Sequence, residues 1–207
     1  MASIPKNQEV EIKLQVTNIG ALRRRLKQLQ ARMDVPRTYE SNILYDTPKK
    51  NLARKGQLIR IRTEQPSPSS NRTKSVRPAA FILTYKGPAR CSKTQKRYKV
   101  REEVEVNVSG EGIIQILTAL GLRPIFQYEK FRTTYTLPGI RNLKIELDET
   151  PIGIFLELEG APSQIDRAAK LLGYVRQDYI TATYGGLYLE DCRRQGQKPG
   201  DLLFKQH

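Results

Sequence analysis

Glu9, Glu11 and Lys13 stand at alternate positions near the start of the chain, and this spacing of acids and bases recurs in five later segments. Arg60 and Arg62 alternate with Ile59 and Ile61, and Lys99, Arg101, Glu103 and Glu105 oppose Val100, Val104 and Val106. Lys130 and Arg132 fall together. Lys144, Glu146 and Asp148 oppose Leu143, Ile145 and Leu147, and Glu157 and Glu159 oppose Leu156 and Leu158. A period of two places such residues on one face of a strand. Carboxylates at alternate positions, as in Glu9/Glu11 and Glu157/Glu159, offer hard oxygen ligands for Mg²⁺ or Mn²⁺. Lysines and arginines beside them can cradle phosphate oxygens, the arginines in bidentate fashion. A polyphosphate joined to the acids through metal ions would satisfy both sets at once.

The plain alternative is an antiparallel sheet with one wet face, which produces the same alternation and gains slightly from cross-strand Lys–Glu pairs. Three features oppose it. The polar face is almost wholly ionic, arginine recurs beside carboxylates and not only across from them, and the strands number about eight. Eight strands close into a barrel whose interior can hold a small ligand. With the apolar face outward under helices, the charges converge on a polar lumen.

The elements that must position these residues follow from periodicity and caps. Strands are predicted at 9–16, 37–46, 57–63, 79–86, 97–108, 124–137, 143–149 and 154–159. Helices are predicted from Thr17 or Asn18 to Met33 with Leu22, Leu26 and Leu29 as the apolar stripe, from Ser109 to Gly121, over 163–172, and over 181–194. The Pro/Ser-rich stretch 64–78 reads as a long mobile connection within one domain. The expected class is α+β, an eight-stranded antiparallel barrel or tunnel with a charged lumen and flanking helices. The domain would cover 1–192, with a basic tail at 193–207.

A chain of 207 residues with 38% hydrophobic and 28% charged residues can bury a core. No apolar run is long enough to cross a membrane and none resembles a signal peptide, so a cytoplasmic protein is expected. Cys91 and Cys192 are too far apart in sequence to read as a metal or redox motif. The net charge of +15 calls for an acidic partner. Part of it lies in 64–78 and 193–207, segments expected not to pack. The rest is interleaved with carboxylates, which repel phosphates unless a metal intervenes. A small-molecule triphosphate is therefore the expected partner, with no membrane or nucleic acid, and a homodimer is allowed.

The motifs resemble the CYTH superfamily, the triphosphate tunnel metalloenzymes. EVEIKL at Glu9–Leu14 is similar to its ExExK signature, and YDTP at Tyr45–Pro48 and LIRIR at Leu58–Arg62 follow in the family's order. So do TYKGP at Thr84–Pro88, KVREEVEV at Lys99–Val106, EKFRTTY at Glu129–Tyr135, ELDETPIGIFLELEG at Glu146–Gly160 and TYGGLYLE at Thr183–Glu190. The resemblance implies metal held by Glu9, Glu11, Glu157 and Glu159, completed by Glu146 or Asp148. It implies phosphates held by Lys13, Arg60, Arg62, Lys86, Arg101, Lys130 and Arg132. Lys13, Glu103 and Glu105 would serve catalysis, a supporting salt-bridge network being the other reading of the two glutamates. TYKGP followed by REEVEV is closest to the class IV adenylyl cyclase branch, whereas SNILYDT and ETPIG depart from it. The expected activities are ATP cyclisation with release of pyrophosphate or, alternatively, hydrolysis of inorganic, nucleoside or thiamine triphosphate. The lone histidine, His207, is terminal, which leaves metal and carboxylate to carry the chemistry. A non-catalytic polyphosphate- or RNA-binding module is the third reading.

Overall fold

The computed structural model describes residues 8–66, 80–89 and 97–205; Cys91 and most of 64–78 lie outside them. The eight strands are β1 (Gln8–Gln15), β2 (Arg32–Asp46), β3 (Leu58–Pro66), β4 (Ala80–Lys86), β5 (Lys99–Val108), β6 (Arg123–Thr136), β7 (Lys144–Thr150) and β8 (Gly153–Glu159). They close into a barrel in the order β1-β5-β4-β3-β2-β6-β7-β8, every neighbouring pair antiparallel. Closure gives every strand a neighbour on both sides, and the alternation of each strand sorts apolar side chains outward and charged ones inward.

The outward side chains form the core. α1 (Ile19–Gln28) is capped by Asn18, whose Oδ1 accepts from the amide of Ala21 at 2.9 Å, and it lays Leu22 and Leu26 on the barrel. α4 (Pro162–Leu171) starts on a proline, which suits a first helical turn, and buries Ile165, Ala168 and Ala169 beside them. Both pack on Val10, Ile12, Leu14, Ile145, Leu147, Leu156 and Leu158. Burial of each such aliphatic side chain stabilises the fold by roughly 1.5–3 kcal/mol. α3 (Gly110–Ala119) contributes Leu117 to a smaller cluster with Tyr45, Ile61 and Leu122.

Several elements differ from their sequence-based bounds. α1 stops at Gln28 instead of Met33 because Gln30 turns to φ 54, after which the chain enters β2. A short helix not foreseen, α2 (Asn51–Arg54), is held by Asp46, whose carboxylate accepts from the amides of Leu52 and Ala53 at 2.9 Å each. β3 continues to Pro66, so the long connection begins later than residue 64. The last helix, α5 (Tyr184–Gln195), starts three residues later than expected, at a Thr183 cap. The tail also packs. Leu202 is buried and exchanges backbone hydrogen bonds with Gln127 and Glu129, while Phe204 meets Phe131 at 5.2 Å. β7 pairs β6 only at residues 131–135, which leaves the backbone of 127–129 to be satisfied by this strap.

Candidate active site

The barrel encloses a cavity of about 470 Å³. From β1, Glu9 accepts from Lys86 of β4 at 2.8 Å and from Arg101 of β5 at 3.1 Å, and Lys86 also pairs with Glu103 at 3.0 Å. Glu11 takes Lys99 at 2.6 Å and Lys13 at 3.2 Å, and Lys13 reaches across to Glu157 of β8 at 2.9 Å. Arg132 is the hub of the opposite wall, 2.6 Å from Glu146, 2.6 Å from Asp148 and 2.5 Å from Glu157. Lys130 lies between Asp148 at 3.0 Å and Glu40 at 3.4 Å. On β3, Arg60 and Arg62 share Glu105 at 3.0 and 3.4 Å, and Thr84 donates to the same carboxylate at 2.9 Å. At one mouth, half-exposed Lys144 meets Glu159 at 3.3 Å.

The structure thus brings all but one of the expected site residues to a single lumen. The exception is Asp148. It has no exposed surface, and Lys130, Arg132 and the Tyr184 hydroxyl at 2.7 Å occupy its oxygens. Beneath the wall, it anchors two cations; Glu146, on the same strand, faces the cavity.

Other lumen residues escaped the sequence reading. Lys99 and Lys144 stood on the charged faces without a role. Glu40 and Asn42 sit on β2, whose inward set of Thr38, Glu40, Asn42 and Leu44 mixes residue types, so no periodic signal marks it. The Tyr128 hydroxyl oxygen accepts from Arg60 at 3.3 Å. Tyr184, at the start of α5, places its ring under the ammonium groups of Lys13 and Lys130, at 5.1 and 5.4 Å.

Burial and charge set the protonation of this cluster. Burial works against ionisation of Glu11 and Glu157, yet the flanking cations hold both carboxyls well below the usual range, Lys13 and Lys99 at Glu11, Lys13 and Arg132 at Glu157. Glu40 falls to about 2 for the same reason, with Lys130 and Arg132 outweighing burial. Glu146 is pushed up to about 7: burial leads, Glu157 and Asp148 add to it, and Arg132 is shared with those competitors. Glu103 also rises to about 7, through burial and then the charge of Glu9, against the pull of Lys86. Lys99 drops to about 8 because burial outweighs Glu11.

Charge balance corrects one expectation. The nine lumen cations are Lys13, Arg60, Arg62, Lys86, Lys99, Arg101, Lys130, Arg132 and Lys144. Seven glutamates line the cavity with them, and Glu40 and Asp148 lie beneath. By formal charge the interleaved set balances, nine against nine, so the formal +15 is carried by the rest of the sequence.

Among the described residues no three carboxylates converge as a ready metal site, because each is drawn to a lysine or arginine. The donor chemistry nevertheless fits a hard divalent cation. Glu11 lies directly across from Glu159, and Glu146 across from Glu157, like-charge pairs that are unfavourable without an intervening positive charge. Glu146 and Glu103, both pushed up to about 7, hold on to their protons into the neutral range for want of one. Once phosphates draw the lysines and arginines away, these oxygens are free to turn to metal.

Solved structures share this architecture. A candidate adenylate cyclase of Vibrio parahaemolyticus superposes with TM-score 0.70 at 20% identity, covering 87% of this chain and 97% of its own. A protein of Pyrococcus horikoshii gives 0.66 at 23%, covering 88% and 99%. A candidate adenylyl cyclase of Hippeastrum, described as having a dominant triphosphatase activity, gives 0.54 at 17%, covering 92% and 97%. At these identities the likeness is one of fold. No curated protein matches the sequence. A family model, that of the CYTH domain, does match over residues 7–184, and with the closed eight-stranded tunnel this places the chain in the CYTH family.

Proposed function

We propose that this protein is a divalent-metal-dependent phosphoryl-transfer enzyme that takes a triphosphate into the lumen, first of all ATP, releasing cyclic AMP and pyrophosphate. One observation carries the reading: a barrel cavity in which nine cations are all paired with carboxylates inside the protein. Such a set is neutral when empty and can exchange its internal partners for phosphate oxygens and metal ions together. A ligand bearing phosphate alone would strand the acids, and a metal alone would strand the bases.

Lys13, Arg60, Arg62, Lys86, Arg101, Lys130 and Arg132 would bind the phosphates, with Asp148, Glu40 and Glu105 fixing the geometry of the arginines and lysines they touch. Glu9, Glu11, Glu146, Glu157 and Glu159 would hold Mg²⁺ or Mn²⁺. Such an ion, when bound, neutralises phosphate charge and makes an attacking hydroxyl or water more acidic. In cyclisation the ribose 3′-oxygen bonds to the α-phosphorus, its proton is lost, and the bond to the pyrophosphate oxygen breaks. Burial of the arginines in the lumen strengthens their hold on the equatorial oxygens as charge redistributes.

Hydrolysis at the terminal phosphorus is the second reading. The Hippeastrum protein of the same fold favours it, as does the departure SNILYDT, which puts Asn42 and Leu44 on the lumen side of β2. The deciding experiment incubates the protein with ATP, GTP, inorganic triphosphate or thiamine triphosphate and Mg²⁺ or Mn²⁺, scoring phosphate, pyrophosphate and cyclic nucleotide separately. Cyclic AMP with equimolar pyrophosphate is the expected result. Phosphate release without cyclic product would select the triphosphatase, and no metal-dependent product from any of the four would refute both.

A further inference from the structure

A lumen that neutralises itself leaves the whole positive excess to the rest of the molecule. Among the described residues one concentration of it is a ridge on the outside of the barrel. α1 carries Arg23, Arg24, Arg25 and Lys27, all exposed, and no acidic residue. α4 adds exposed Arg167 and Lys170, and the two helices touch where Arg25 Nε donates to the carbonyl of Leu171 at 2.6 Å. None of these six meets a carboxylate among the described residues. Other surface cations do, as in the pairs of Arg176 with Asp166, Arg193 with Glu190 and Arg194 with Asp191. Six exposed cations along two touching helices, with no carboxylate partner among the described residues, create a positive field that attracts an external polyanion.

Beside the ridge is a second cavity, of about 460 Å³, between α1 and the outer wall of β2, β6 and β7. Its rim carries Arg23 and Lys27, one helical turn apart. Its floor is largely apolar and aromatic, formed by Leu26, Met33, Tyr135 and Leu147, while Thr133 and Glu149, whose carboxylate is neutralised by Arg37 at 2.9 Å, complete the lining. Met33 keeps 54% of its surface exposed. β2 is irregular here, with register shifts between Met33 and Val35 and between Val35 and Thr38, the kind of local kink that re-aims side chains at binding sites. The volume lies within the roughly 300–1,000 Å³ that holds small organic groups.

We propose that this ridge and cavity form a binding site for single-stranded nucleic acid, with the phosphodiester backbone tracking the cations of α1 and an unstacked base seated over Tyr135. A row of cations next to an aromatic platform is the arrangement by which single strands are held with little regard for sequence. A duplex keeps its bases stacked and would leave the cavity empty. An anionic membrane fits less well, because Leu22 and Leu26, the apolar stripe that α1 would need to insert, are already spent in the core. The site is separate from the lumen and does not depend on the reaction proposed there.

The test is fluorescence anisotropy of the whole protein with labelled oligo-U and oligo-dT about 20 nucleotides long, an equal-length duplex, and phosphatidylserine-containing vesicles, each across a salt series. Single strands should bind more tightly than the duplex or the vesicles. The double variant Arg23→Glu/Lys27→Glu should bind about tenfold or more weakly at low salt, with the slope of log affinity against log salt smaller by about 1.4. Tyr135→Leu should weaken binding with the slope unchanged. Lys170→Glu, outside the cavity lining, should weaken binding at low salt and lower the slope by about 0.7, with the affinity loss vanishing at high salt, and thermal unfolding of all variants should match the parent. Turnover of triphosphate should be unaffected. The proposal is overturned if no single strand binds, if the double reversal leaves affinity unchanged, if vesicles bind better than strands, or if saturating inorganic triphosphate displaces the strand and so places it in the lumen.

Discussion

Arg132 illustrates how one side chain in this lumen does several jobs. Its guanidinium contacts Glu146, Asp148 and Glu157 and lies 3.7 Å from Glu40. Replacing it would strand buried carboxylates, so a variant there mixes loss of fold with loss of binding. Arg60 is the cleaner probe. Arg60→Lys keeps the charge and loses the fork, and should weaken binding of ATP and of inorganic triphosphate alike by roughly 1–3 kcal/mol. Isothermal titration with both ligands checks this; an effect on ATP alone would show that Arg60 reads something other than phosphate. Glu157→Gln should abolish turnover and metal binding while circular dichroism stays native, because the amide keeps the shape and an oxygen for Lys13 but no charge for a divalent ion. Normal Mn²⁺ affinity in that variant would remove Glu157 from the metal set. At this scale the sequence was legible wherever alternation was strict. It was opaque on β2, where Glu40 and Asn42 share the inward face with Thr38 and Leu44. It also could not separate Glu146 from Asp148, since both point inward and only the sealing by Tyr184 distinguishes them.

Among the elements, the strands were readable because a barrel with a charged interior writes period-two alternation on almost every one. The misreadings fall at chain reversals, where a single residue decides. Gln30 in the left-handed region ends α1, and a left-handed residue that is not glycine gives no warning in the sequence. The strap at 197–205 was misread because its sequence, with Lys198, Pro199 and Gly200, carries the composition of a tail. Its anchors are two apolar residues and backbone hydrogen bonds to a strand left partly unpaired. Leu202→Ala should therefore cost about 2–4 kcal/mol, measured by urea unfolding, far more than an alanine in a loose tail. A change below 0.5 kcal/mol would show that the strap contributes little to the fold.

At the scale of the whole molecule, burial of two incompletely neutralised acids makes stability between about pH 4.5 and 7 depend on pH in a direction opposite to that given by the salt-bridged Glu11, Glu40 and Glu157. Glu103 and Glu146 have folded values near 7, above an unfolded value of 4.5. The folded state binds more protons between those limits, so their contribution is complete below about pH 4.5 and is lost as pH rises through 7. Without metal, stability should fall across that window; Mn²⁺ should flatten the fall, because a divalent ion favours the ionised acids. Glu146→Gln should remove part of the slope. Thermal unfolding between pH 4.5 and 7.5, with and without Mn²⁺, measures all three, and a metal-free curve that rises with pH would contradict the assignment.

Barrel closure also has a consequence in time. β1, at residues 8–15, pairs with β8, at 153–159, and neither wall of the lumen is complete until that junction forms. Contacts so distant along the chain must overcome loop-closure entropy before they are rewarded, which places this topology among slow folders. During synthesis β1 emerges before the other seven strands of the barrel and waits for all of them before β8, its last neighbour, exists. Through that interval its Glu-Val-Glu-Ile-Lys ladder carries an unpaired backbone edge, and the charges that later face the cavity serve meanwhile to keep it from pairing with another nascent chain.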